Sequence, residues 1–213
     1  MKWLMSLIVL GIVVFILYLS HLGNIVEAEF SEPLGENYSN LPLYEHPKPL
    51  VNMLLLIEDQ SYFQHSGVDF KEIIRVLRDR ILSDKPIRGA STITQQLIKN
   101  ALLSRQPTLK RKLKEALMAL LLEFSFAKEF ILSRYMNSVY LGQQGNRAVY
   151  GFANGAWFYF NRPLILLSND ELATLVALVK GPSYYHPLRH RERLFKRKEL
   201  VLDVFQKHKK IIK

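Results

Sequence analysis

At 213 residues, nearly half of them apolar, the chain has room for one packed domain plus an attachment. It contains no cysteine, which excludes disulfides, thiol nucleophiles and cysteine metal sites. A formal net charge of +10 favours an anionic partner: nucleic acid, phospholipid head groups or a phosphorylated substrate.

Residues 3–19 are uncharged and almost wholly apolar. As a helix at ~1.5 Å per residue this run spans roughly 25 Å, and residues 20–26 can extend it toward the ~30 Å of a bilayer core. Val26-Glu27-Ala28 loosely resembles a cleavage site, but the apolar run is too long and too far from it for a cleaved leader. An uncleaved anchor over residues 1–22 is therefore expected. Lys2 before the run, with Glu27 and Glu29 after it, predicts a cytoplasmic N-terminus and the bulk of the chain outside. Residues 23–49 read as a solvated linker, because Pro33, Pro42, Pro47 and Pro49 interrupt regular structure and five glutamates keep it wet. A domain over 50–213 follows.

That domain opens on an apolar run ending in Glu58-Asp59, followed by Tyr62, Phe63, His65 and Gly67. A carboxylate at the edge of an apolar wall can be a better proton acceptor than one in water. The bland reading is a helix end followed by a turn. Next, Phe70, Ile73, Ile74, Leu77 and Ile81 repeat at helical spacing with Arg75, Arg78 and Arg80 between them. Either an ordinary surface helix or one resting on a membrane surface fits. Asp84-Lys85-Pro86 breaks the pattern. Arg88-Gly89-Ala90-Ser91-Thr92 then leads into a helix carrying Gln95, Gln96, Lys99 and Asn100. Thr92 with Gln95 fits a capping box, and Gln95 and Lys99 lie one turn apart. Hydroxyls, amides and a lysine at a helix start suit a sugar phosphate. They equally suit a well-capped structural helix.

Residues 103–108 form a loop, and a long helix follows with Arg111, Lys112 and Glu115 in its first turns. A second helix over 127–140 carries Ile131, Leu132, Tyr135 and Met136 on one side, and 141–146 is a turn-rich loop. Residues 149–160 combine small residues with aromatics, and 172–180 form a buried helix stopped by Gly181-Pro182. The tail over 189–213 is basic with apolar positions at near-helical spacing, packing on the domain and showing its cations to solvent or lipid. With no repeat and no convincing alternating pattern, the domain reads as mainly α. Nucleic acid explains the charge less well than an anionic lipid or lipid-linked substrate.

Four stretches in order resemble the motifs of the peptidoglycan glycosyltransferases, glycosyltransferase family 51. They are Glu58-Asp59-x-x-Tyr62-Phe63-x-His65-x-Gly67, Gly89 through Asn100, Arg111-Lys112-x-x-Glu115, and Lys128-x-x-Ile131-Leu132-x-x-Tyr135-Met136-Asn137. The loop from Tyr140 to Asn146 and Lys180-Gly181-x-Ser183-x-Tyr185-x-Pro187 resemble one class A penicillin-binding-protein branch. The resemblance covers about residues 50 to 205 and includes the monofunctional enzymes of the family.

It implies a mainly α, lysozyme-like fold and polymerisation of lipid II into peptidoglycan at the outer face of the bacterial cytoplasmic membrane. Glu58 would take the proton of the acceptor 4-hydroxyl while undecaprenyl diphosphate leaves the donor, with inversion to a β-1,4 link. Lys99, Arg111 and Lys112 would steady the diphosphate, with Ser91, Thr92, Gln95 and Gln96 as hydrogen-bonding neighbours. Glu115 would be the second acidic residue, orienting groups or holding a divalent ion such as Mg or Mn. No cofactor is required. Asp59, His65 and Asn137 would support the site's shape. The implied partners are lipid II, the growing glycan strand, membrane phospholipid and other cell-wall synthesis proteins. Pro107 stands where many members carry a loop arginine, with Arg105 nearby, and Gln60-Ser61 stand where arginines are common. No transpeptidase domain is expected, hence no cross-linking. Two other functions remain open: a muramidase of the same glycan, and a scaffold that binds lipid II without turnover.

Overall fold

The computed structural model describes residues 2–83, 91–104 and 106–208. Helix α1 (Lys2–Ser31) is a continuous rod, about 45 Å long at 1.5 Å per residue. It is the one helix, among the described residues, long and apolar enough to cross a membrane. Residues 2–18 are uncovered, whereas Leu22, Val26 and Phe30 are buried in the domain core. Residues 23–31, expected as linker, are thus helical. Pro33 is the first proline after the apolar run, so no breaker precedes Ser31, and an apolar residue every fourth position gives the helix a stripe to bury.

After an irregular segment with a short turn of 3-10 helix at Leu43–Glu45 comes α2 (Lys48–Glu58), begun by Pro49 where a missing N–H costs nothing. Leu50, Met53, Leu54 and Leu55 are fully buried. Helix α3 (Phe70–Ser83) leaves Phe70, Ile74, Ile81 and Leu82 exposed. The side chains of Leu77 and Arg80 and all of residues 84–90 lie outside the described set, so the expected break at Asp84-Lys85-Pro86 and the motif positions Gly89 and Ala90 do too. Arg105 and residues 209–213 of the tail share that position.

Helices α4 (Ile93–Leu102), α5 (Leu109–Ser125) and α6 (Lys128–Ser138) follow, with α4 packed on both others and α1 on α5. Residues 141–146 are not simply a loop. Strand β1 (Tyr140–Gln144) pairs antiparallel with β2 (Arg147–Tyr150), and Gln144 faces Arg147 across a two-residue turn. Gly145 adopts φ +56° there, and Gly-Asn between short runs is itself a hairpin signal. Helix α7 (Phe152–Phe160) starts at Gly151, whose φ of +78° and close approach to the Asn137 carbonyl leave no room for a side chain. The core is completed by α8 (Asn169–Val179), buried at six positions, between α2 and α9 (Arg191–Lys207).

Candidate active site

Helix α2 ends by placing Glu58 in a cleft of about 660 Å³. The cleft is bounded by Glu58, Ser91, Thr92, Lys180 and, from α9, Arg197 and Leu200. Gln96 of α4 donates from Nε2 to Glu58 Oε2 at 3.0 Å, and Tyr135 of α6 donates from its hydroxyl to Gln96 Oε1 at 2.9 Å. Burial, reinforced by the nearby Glu58 and Asp59, raises the proton affinity of Tyr135 well above that of a free phenol. A carboxylate can only accept, so the Gln96 amide N–H turns toward Glu58 and its oxygen toward Tyr135, whose protonated hydroxyl donates to it.

Asp59 explains why α2 and α4 meet. Its buried carboxylate accepts from the Ile93 backbone N–H at 2.9 Å, in the first turn of α4, and faces His65 Nε2 at 3.0 Å. An anion at that end satisfies an orphan donor and the positive end of the helix dipole. Thr92 adds a capping box: its Oγ1 accepts from Gln95 N–H and Gln95 Oε1 accepts from Thr92 N–H, both at 3.1 Å. Thr92 Oγ1 also donates to the Gly67 carbonyl at 2.6 Å. Gln95 is therefore buried and spent on its own helix, so the face expected to carry both Gln95 and Lys99 carries Lys99 without it. Gln96 is the amide that reaches the site.

The cations assemble on α5. Glu115, with only 2 % of its side chain exposed, accepts from Arg111 Nη1 at 2.9 Å and from Lys112 Nζ. Lys112 also donates to Ser91 Oγ at 2.7 Å, which links this cluster to the cleft edge. Arg111 Nε donates to the Gln106 carbonyl at 2.7 Å. Lys99 stands one helical turn beyond Gln96, within the electrostatic reach of Glu115, Lys112, Arg111 and Glu58. Desolvation pushes its ammonium group below the ordinary lysine range. Glu58, Lys99 and Arg111 thus belong to one network, but Lys99, Arg111 and Lys112 stand beyond Ser91 rather than lining the cleft itself. Both Glu115 oxygens are taken by cations, so the donor set does not fit a divalent ion. Among the described residues no other group of carboxylates and imidazoles offers one a site.

Asn137 lies elsewhere. Its Oδ1 accepts from Ser39 Oγ at 2.8 Å and Leu41 N–H at 3.0 Å, and its Nδ2 donates to the Leu41 carbonyl at 2.7 Å. It straps the segment after α1 to α6. Two residues in contact with Glu58 or its partner carry no site role in the sequence reading. Tyr135 reads as one more apolar-face aromatic, and Arg197 as one cation in a basic tail. Ser125-Phe126-Ala127-Lys128 has the Ser-x-x-Lys spacing of acyl-serine enzymes. Here Lys128 is committed to Glu123 at 2.7 Å and lies 4.3 Å over the Tyr62 ring, so it activates no serine.

Fold and site together define a mainly α domain of the lysozyme-like class, preceded by one helix long and apolar enough to cross a membrane. The chain belongs to the transglycosylase family, whose model matches residues 26–206. It is 45 % identical to penicillin-binding protein 1B of Vibrio cholerae over 164 residues, 77 % of this chain and 21 % of that protein. It is 40 % identical to penicillin-binding protein 1B of Escherichia coli over 176 residues, 83 % of this chain and 21 % of that one. Penicillin-binding protein 1A of Aquifex aeolicus is 40 % identical over 156 residues, 73 % of this chain and 21 % of its own length. The chain therefore spans between a fifth and a quarter of the curated relatives it matches.

Proposed function

We propose that the chain polymerises lipid II into β-1,4-linked glycan strands. Glu58 accepts the proton of the acceptor 4-hydroxyl as that oxygen bonds to C1 of the donor sugar. The C1–O bond to undecaprenyl diphosphate breaks on the opposite face, which inverts the anomeric centre. Lys99, Arg111 and Lys112 take up the charge of the leaving diphosphate. The observation that carries this reading is the oriented chain Tyr135–Gln96–Glu58 facing a cleft, with the lysine of the same helix one turn further on, in the field of the Arg111–Lys112–Glu115 cluster. Hydrolysis by Glu58 and Glu115 as an opposed pair is less well supported, because Glu115 is held by two cations and does not line the cleft.

Glu115 serves to fix Arg111 and Lys112 rather than to hold a metal, since a divalent ion would have to displace one of them. Polymerisation is accordingly expected to survive chelation of divalent ions, as measured with EDTA on labelled lipid II. The anchor places the domain on the outer side of the cytoplasmic membrane, supported by Lys2 before the span and Glu27 and Glu29 after it. The uncovered apolar face of α3, with Leu109 and Leu113 exposed at the start of α5, supports contact with phospholipid. Arg75 is bonded to Glu72 at both ends of its fork and Arg78 to Asp79, so α3 offers head groups less free charge than its sequence suggests. The deciding experiment is incubation of the detergent-solubilised protein with labelled lipid II. Glu58→Gln is expected to remain folded and lose activity by ~10²-fold or more. Retained polymerisation in that variant would remove the proposed base.

A further inference from the structure

Glu58 is gripped from two sides, and only one grip belongs to the motifs. Oε2 is held by the Gln96–Tyr135 chain. Oε1 lies 3.4 Å from Nη2 of Arg197, which arrives from α9 across 139 residues of sequence. This is not a loose surface ion pair: the Glu58 and Arg197 side chains are 7 % and 18 % exposed. The Arg197 Nε is buried with no hydrogen-bond partner in the protein. An unpaired buried donor is a cost that packing alone does not repay, and it persists only where something else holds the group in place. Arg197 and Glu58 line the same cleft wall, so the guanidinium stands at the oxygen that an acceptor hydroxyl would approach.

We propose that Arg197 is a positioning residue for Glu58, fixing its carboxylate in one rotamer with Oε1 presented to the cleft. Its kinetic consequences rest on the glycosyl-transfer reading above, while its effect on Glu58 itself does not. The groups that face Glu58 are Lys99 of α4, Tyr135 of α6, Arg197 of α9 and the adjoining Asp59. Asp69, Glu72, Arg75 and Lys180 stand around the same cleft. Among the described residues, Arg197 is the cation whose contact with the Glu58 carboxylate is direct. Arg197→Gln removes both the charge and the planar fork, whereas Arg197→Lys keeps the charge and loses the fork.

The test uses the full chain in detergent micelles, with wild type and Glu58→Gln measured first on lipid II. Arg197→Gln is expected to lower kcat by ~10- to 100-fold with KM for lipid II little changed, because a misplaced base costs the chemical step rather than binding. Arg197→Lys should recover part of that loss. The second readout needs no activity. The Glu58 side-chain carboxyl carbon is observed by 13C NMR at one neutral pH, its signal assigned by its absence in Glu58→Gln. A single sharp line is expected in wild type and a shifted or broadened one in Arg197→Gln, where the carboxylate is no longer held in one rotamer. A wild-type line in Arg197→Gln overturns the proposal. An inactive wild type overturns the glycosyl-transfer reading instead and leaves the NMR line to decide on Arg197. Should Arg197→Gln fail to fold, Arg197→Lys decides: a kcat lowered by ~10-fold supports positioning, and a wild-type kcat overturns it.

Discussion

Lys99 carries a pH dependence that can be argued from its surroundings. Desolvation disfavours its charged form, Lys112 and Arg111 push the same way, and Glu115 and Glu58 oppose them, leaving it below the ordinary lysine value of 10.5. The ammonium form exists below the lowered value and disappears as pH rises through it. In the proposed reaction, stabilisation of a departing diphosphate is thus present at neutral pH and lost sooner on the alkaline side than an isolated lysine would allow. Folding runs the other way: the cost of crowding that charge is paid at neutral pH and relieved as pH climbs from the lowered value toward 10.5. Replacing Lys99 by arginine, which keeps its charge throughout, should move the alkaline limb of kcat to higher pH. Replacing it by methionine should remove about 2 to 4 kcal/mol of transition-state stabilisation. Both are read from polymerisation rates across pH, and an alkaline limb identical in wild type and Lys99→Arg would take Lys99 away from the diphosphate. The residue types were legible, since a carboxylate and three cations in four motifs announce the chemistry. Their partners were not. Gln96–Glu58 spans 38 residues, Tyr135–Gln96 spans 39 and Arg197–Glu58 spans 139, and no local spacing encodes a contact at such range.

The start of α4 is the joint on which the site turns. Asp59 from the end of α2 accepts its first free N–H, Thr92 caps it, and Thr92 reaches back to Gly67. Gly67 in turn lies against α5: it adopts φ +86°, and a Cβ there would stand 2.4 Å from the Ala119 carbonyl oxygen. Gly67→Ala therefore combines a left-handed backbone with a backbone collision that no side-chain movement relieves, and should cost roughly 3 kcal/mol or more. Thr92→Ala removes the cap and leaves the Gly67 carbonyl without its donor, a loss of about 1 to 2 kcal/mol. Urea denaturation at constant detergent measures both. A Gly67→Ala protein as stable as wild type would mean that the loop does not cross α5 where the structure puts it. The capping box was readable because Thr92 and Gln95 are three residues apart. The same logic recognises Gly145-Asn146 as a hairpin turn, although the short run after it alternates too weakly to announce a strand.

At the scale of the molecule, the anchor is part of the domain rather than a tether to it. Leu22, Val26 and Phe30 are buried, Phe30 sits edge-on to Phe126 at 6.4 Å, and Arg134 of α6 donates to the Glu32 carbonyl at 2.7 Å and the Glu29 carbonyl at 3.2 Å. A guanidinium on the last carbonyls of a helix suits the negative end of its dipole. Because α1 packs on α5, the rod braces the helix whose first turns hold Arg111, Lys112 and Glu115. In the proposed membrane placement, the height of these cations is then set by a rigid element, not by a flexible linker. Composition concealed this, because glutamates between the buried positions give residues 23–31 a solvated look while the stripe at every fourth residue carries the packing. Two shortened chains separate the views. Removing residues 2–18 takes away only uncovered surface and should leave the unfolding free energy unchanged. Removing residues 2–31 exposes the groove for three buried side chains and strips Arg134 of the Glu29 carbonyl, a loss on the order of 5 kcal/mol. The comparison is made by chemical denaturation in the same detergent. If the two shortened chains unfold at the same denaturant concentration, the lower part of α1 contributes nothing to the domain, and the cations owe their height to some other element.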